Sequence, residues 1–170
     1  MGQIGLPMGY THYWRYTRDI TPIEWESICA DFRVLLANLP PHTATAGGYH
    51  SKNPLKVAYE ADKPDTPVQC DAENIRFNGI GTDVGGNYKL SHGTFSFDRQ
   101  ASSDSTYCKT ARKPYDLLVC ATLTVVCKHA PFFGVIASDG GLDDWLPALE
   151  FVSAILGEGY VAPKTIRSAR

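Results

Sequence analysis

No stretch of this sequence approaches the roughly 18 consecutive apolar residues that a membrane-crossing helix needs. Neither sign of charge is in excess. Sixteen Lys and Arg face eighteen Asp and Glu, for a formal net charge of −2. Bulk electrostatic attraction to nucleic acid is therefore not expected, and any anion recognition must be local. The five cysteines (Cys29, Cys70, Cys108, Cys120 and Cys127) include no C-x-x-C pair and are odd in number. The opening MGQIGLPMGY lacks the basic-then-apolar pattern of a secretory leader, and Leu6 stands where a myristoylation signal needs Ser or Thr. Reduced thiols in a cytoplasm are the expectation, not a disulfide framework. Paired histidine ligands are missing, and Asp139, Asp143 and Asp144 do not follow the calcium-loop spacing, so neither metal nor cofactor is expected. The glycine-rich GIGTDVGG (79–86) is no phosphate loop: Val84 replaces the last glycine of G-x-G-x-x-G and no G-K-[ST] occurs. It reads as a hairpin turn. There is no internal repeat.

What is present is the composition of one globular domain: 170 residues, 44% hydrophobic and 11% aromatic. GYTHYWRY (9–16) reads as a strand, with Tyr10, His12, Trp14 and Tyr16 on one face and Thr11, Tyr13 and Arg15 on the other. In TPIEW, Thr21, Pro22 and Glu24 make a helix start with a capping box. Ile23, Trp25, Ile28, Cys29, Phe32, Leu35, Leu36 and Leu39 then draw an apolar face up to Pro40. Short strands are predicted at 55–61, 74–79, 93–99 and 132–138, with Phe95 and Phe97 sharing a face. A second helix is predicted from Pro114 to about His129. Its body, LLVCATLTVVCK, is apolar nearly all round, as suits a central, buried helix. WLPALEFVSAIL forms a third, with Pro147 in its first turn and Gly157 as its cap. The prediction is an α+β domain at 9–157, with a mainly antiparallel sheet and three helices. An arm precedes it at 1–8, a loop is inserted at 40–54, and a basic tail follows at 158–170.

The stretch YCKTARKPYD sets Lys109, Arg112 and Lys113 beside a helix start. A helix N-terminus carries roughly half a positive charge, so cations there call for an anion, which free N–H groups and a bidentate arginine bind well. Thr110 adds a hydroxyl, and Tyr107, Pro114 and Tyr115 flank the cations with surfaces that can sandwich a ring. Tyr13, Trp14 and Arg15 are candidates for the same ligand, and Asn78 for reading its edge. The competing reading is an internal ion-pair network with Asp139, Asp143 and Asp144. Catalytic candidates are His12 as acid or base, Cys108 with cations beside it, and Asp139; no complete nucleophile–base set is visible.

GYTHYW, FNG, CKTARKPYD and SDG-x-x-x-DW together resemble a family of small proteins of unknown function from bacteriophages and bacteria. The resemblance spans most of the chain except 41–70, 99–106 and the tail. It implies a guess by analogy: a phage protein that sequesters a host nucleotide signal. The expected function is binding of an anionic, phosphorylated or nucleotide-like small molecule at the basic helix start. Two other readings stand beside it. One is an enzyme acting on a phosphate or acyl substrate. The other is a structural or interaction module that meets a protein partner or its own copies.

Overall fold

The computed structural model describes residues 9–42, 53–102 and 106–166. In chain order the elements are β1 (Thr11–Tyr16), α1 (Pro22–Ala37), β2 (Val57–Ala58), β3 (Gln69–Cys70), β4 (Asn74–Gly79), β5 (Phe95–Asp98), β6 (Thr106–Lys109), α2 (Asp116–His129), β7 (Gly134–Ser138) and α3 (Leu142–Leu156). The fold is α+β. Its strands pair antiparallel in two sheets instead of one: β6-β1-β7, and a second built on β4 with β2, β3 and β5. The predicted arm, most of the inserted loop and the end of the tail lie outside the described residues. Among the described residues no helix is long and apolar enough to cross a membrane.

Alternation in β1 decides which side of the first sheet meets the core. His12, Trp14 and Tyr16 are buried while Tyr13 and Arg15 are exposed, as the spacing predicts, but Thr11 on the second face is buried too. Trp14 packs on Phe95 and Phe97, with ring centroids 5.4 Å away in each case. Phe77 on β4 stacks on Phe32 of α1 at 5.8 Å, so aromatic rings join the two sheets to the first helix. α2 lies against both α1 and α3 and is buried from Asp116 to Val126. Its threonines avoid orphaned hydroxyls by bonding back along the helix, Thr122 to the Leu118 carbonyl at 2.6 Å and Thr124 to that of Cys120 at 2.8 Å.

α1 begins as its sequence specifies. The Thr21 hydroxyl accepts the Glu24 N–H at 3.2 Å, and the Glu24 carboxylate accepts the Thr21 N–H at 2.9 Å. Arg18 grips the same carboxylate with two nitrogens, 2.8 and 2.9 Å away, and holds it well below the usual range, to about 2. Thr21→Ala should therefore cost about 1 kcal/mol, read as a lower urea midpoint with unchanged slope. Ile23, expected on the apolar face, is 79% exposed at the second helical position.

Two helix starts differ from the prediction. α2 begins at Asp116, because Lys113, Pro114 and Tyr115 form tight turns first: the Asp116 N–H bonds to the Lys113 carbonyl at 2.9 Å and that of Leu117 to Pro114 at 3.2 Å. α3 begins earlier than predicted, at Leu142. Asp144 takes the Gly141 N–H at 2.9 Å and, with Asp143, places negative charge in the first turn. Pro147 consequently sits inside the helix, at its sixth residue. The four residues of β6 were not predicted as a strand at all.

Candidate functional site

The outer face of β6-β1-β7 is built from the register of its three strands. Tyr13 stands opposite Tyr107 on one side and Ala137 on the other. In the neighbouring rows Thr11 faces Lys109, and Arg15 faces Val135. Residues directly opposite on paired strands share a face. Two tyrosines therefore sit side by side across β1 and β6, 43% and 56% exposed, with Arg15 on one flank and Lys109 on the other. The Lys109 ammonium lies 5.9 Å from the centre of the Tyr107 ring. Among the described residues no ion pair joins Arg15, Lys109 or Lys113 to a carboxylate. Asp139 borders the face, and its carboxylate accepts the Thr11 N–H at 3.0 Å.

Two open concavities adjoin these rings. One, of about 260 Å³, is lined by Tyr13, Arg15, Thr106, Val135 and Ala137. The other, of about 520 Å³, is lined by His92, Thr94, Tyr107 and Lys109. The segment carrying His92 lies against the free edge of β6. The Gly93 N–H donates to the Lys109 carbonyl at 2.7 Å, and His92 Nδ1 donates to the same oxygen at 2.8 Å. A side chain at position 93 would put its Cβ 2.7 Å from that oxygen, so only glycine lets the segment in.

Of the nine ligand candidates, Tyr13, Arg15 and Lys109 meet on this face. The other six lie elsewhere. Trp14 is in the core between the sheets. Asn78 is buried and fastens the 92–94 segment through the His92 carbonyl and the Thr94 hydroxyl, at 2.9 and 3.1 Å. Tyr115 is fully buried and donates its hydroxyl to the Gly93 carbonyl at 2.6 Å. Thr110 is buried on Asp116. Arg112 lies over the Tyr10 ring at 4.0 Å and pairs with Asp144, one of the acids the competing reading named. It reaches there because Ala111 and Arg112 both adopt left-handed backbone, φ 50° and 58°, which swings the turn away from β6. Lys113 is half-buried, and its N–H bonds to the Thr110 carbonyl at 3.0 Å.

Behind the face lies a buried polar network. Ser138 Oγ accepts the N–H groups of Gly140, at 3.0 Å, and of the Trp145 indole, at 3.3 Å. Its own proton therefore goes to His12 Nδ1 at 2.9 Å, and His12 Nε2–H donates to Asp116 at 2.7 Å. The Thr110 hydroxyl donates to the same Asp116 oxygen at 2.6 Å, and the Cys120 thiol lies 3.6 Å from the other. Burial raises the Cys120 pKa far above that of a free thiol, so it stays protonated.

This chain of Ser, His and Asp has the connectivity of a proton relay. Its half-exposed end, Ser138, already accepts two N–H groups, which leaves no lone pair for attack on a substrate. The catalytic candidates are placed accordingly: His12 is buried in the network, and Asp139 is held by Thr11. Cys108 is buried with its pKa raised to about 12 by desolvation. Ser138, Asp116 and Cys120 were not foreseen as partners of His12, since nothing local links residues more than a hundred positions apart. Tyr107 was visible as a flanking aromatic; His92, Val135 and Ala137 carried no signal.

No protein-family model matches the chain, and comparisons with curated proteins and with solved structures return no match, so the functional reading rests on this geometry.

Proposed function

We propose that the protein binds a nucleotide-like small molecule, one aromatic ring joined to an anionic group, on the outer face of β6-β1-β7. Tyr13 and Tyr107 are the platform on which the ring stacks. Arg15 and Lys109 are the anion contacts. The observation that carries this reading is the exposed cross-strand tyrosine pair with a cation on either side and, among the described residues, no carboxylate paired to those cations. Large exposed rings are costly to leave in water, and a base covers their faces whatever its sequence identity. The net charge of −2 fits a small ligand better than a polymer.

Calorimetric titration tests it, using a panel of linear and cyclic nucleotides together with nucleosides and ribose 5-phosphate as half-ligands. Stacking contributes about 1–3 kcal/mol per base, so Tyr13→Ala and Tyr107→Ala should each weaken binding roughly 5- to 150-fold. Arg15→Ala should weaken nucleotides but not nucleosides. All three positions are exposed, so circular dichroism should show an unchanged fold. No heat with any member of the panel, or equal heat from the double tyrosine variant, would sink the proposal.

A further inference from the structure

Three side chains with metal-ligand chemistry meet where α2 packs behind the first sheet. Asp116 and Cys120 are four residues apart on α2, so one face of the helix presents both. β1 brings His12 against that face from 104 positions away in sequence. The Cys120 sulfur lies 3.5 Å from His12 Nε2 and 3.6 Å from Asp116 Oδ2, and one donor atom from each of the three residues lies within 4.8 Å of the others. In a tetrahedral zinc complex, with bonds of about 2.0–2.1 Å to nitrogen or oxygen and about 2.3 Å to sulfur, ligand atoms stand roughly 3.3–3.6 Å apart. Both sulfur separations already have that spacing. His12 Nε2 and Asp116 Oδ1, at 2.7 Å, are drawn together on a proton. An ion in the place of that proton opens the pair by roughly half an ångström.

Charge and supporting contacts point the same way. With the Ser138 hydroxyl donating to Nδ1, the His12 imidazole is neutral, and it is the basic group paired with Asp116. The buried carboxylate therefore keeps a negative charge that the imidazole does not cancel, which is costly in an apolar interior. A divalent ion cancels one carboxylate and one thiolate. Both flanking ligands are already oriented, the carboxylate by the Thr110 hydroxyl at 2.6 Å and the imidazole by Ser138 Oγ at 2.9 Å. Tyr10 packs edge-on against His12, with ring centroids 5.0 Å apart. Its hydroxyl is buried and has no hydrogen-bond partner among the described residues. An orphaned oxygen this deep calls for a partner, and three protein ligands leave a tetrahedral ion a fourth position to fill.

We propose that His12 Nε2, the Asp116 carboxylate and Cys120 Sγ bind one Zn²⁺ as a closed structural site that ties β1 to α2. Imidazole, carboxylate and thiolate together suit zinc and not the hard ions Mg²⁺ or Ca²⁺. The absence of paired histidines does not bear on a set that uses one histidine, one acid and one thiol. Binding releases one proton per ion, because the Cys120 thiol gives its proton to solvent and becomes a thiolate ligand. The imidazole stays neutral. Its proton moves from Nε2 to Nδ1, which then donates to Ser138 Oγ in place of the longer bond from the Trp145 indole at 3.3 Å. All three ligating side chains are buried, so the ion enters as the chain folds and not through the finished surface.

The test unfolds the full chain in urea with chelator and reductant, then refolds it with one equivalent of Zn²⁺, or of Co²⁺ as an optically visible substitute. The expected product retains one zinc per chain after gel filtration and releases one proton per ion. The cobalt form should show a thiolate-to-metal charge-transfer band. Excess zinc should raise the urea midpoint. Cys120→Ala should abolish both the band and the midpoint shift, and Cys127→Ala, on the same helix but outside the triad, should keep both. If Cys120→Ala fails to fold, X-ray absorption on the zinc-refolded natural chain decides: a single sulfur at about 2.3 Å, with nitrogen and oxygen at about 2.0–2.1 Å, is expected. No retained ion, a charge-transfer band that survives Cys120→Ala, or a shell holding no sulfur or several would overturn the assignment and mark any uptake as adventitious.

Discussion

Asp116→Ala is expected to remove about 2–6 kcal/mol of stability, a large share of the roughly 5–15 kcal/mol that holds a folded domain. The carboxylate is the acceptor on which the interior network converges. Without it His12 Nε2–H and the Thr110 hydroxyl, both in fully buried side chains, lose the acceptor they share, and each such group costs about 1–3 kcal/mol. Asp116 also opens α2 with a negative charge where the helix dipole favours one. Thr110→Val removes a single donor and leaves the His12 bond, so it should cost only about 1 kcal/mol. Asp116→Asn keeps an acceptor oxygen and should fall between the two. Urea denaturation of the three variants sets the order. If Asp116→Ala costs less than Thr110→Val, the network is not what fastens α2 to β1 and β7.

How far such a network can be read from a chain depends on the distance over which its parts speak. The faces of β1 follow from alternation within six residues, and the start of α1 from four; both are local, and the structure has them. The anion cluster illustrates the opposite case. Lys109, Arg112 and Lys113 are close in sequence, yet Lys109 is the last residue of β6 and points outward beside Tyr107, while Arg112 lies past a left-handed turn and reaches Asp144 on α3. A change from strand to turn sends neighbouring side chains in different directions, so a run of like charges need not be a patch. β6 itself has four residues of mixed polarity and owes its existence to pairing with β1, which no window of its own sequence contains. For the same reason the pairing of Tyr13 with Tyr107, nearly a hundred residues on, is visible only once the strands are laid together.

The junction of β1 with β7 is the place where one methyl group should do most damage. Gly134→Ala is expected to cost more than 3 kcal/mol, beyond the roughly 1–3 kcal/mol of ordinary overpacking. Gly134 pairs with Tyr16, and a Cβ there would collide with the Arg15 carbonyl oxygen, with the Arg15 carbon at 2.9 Å and the Tyr16 Cα at 3.0 Å. All three atoms are backbone, so no side chain can rotate out of the way. Nor can β7 simply move off, because Phe133 and Ile136 on either side of the glycine are buried in the core. The ladder must open at that end instead. Val135→Ala, one residue along and 46% exposed, adds no atom against the neighbouring strand and should change stability by less than about 1 kcal/mol. Guanidinium titration and amide exchange at Trp14 to Tyr16 check both. The same displacement shifts Val135 and Ala137 relative to Tyr13. Gly134→Ala should therefore also weaken nucleotide binding, although the residue never touches the ligand. If its stability stays within 1 kcal/mol of the natural chain, the close approach of β7 to β1 is relaxed in solution, and the outer face is less rigid than the stacking platform requires.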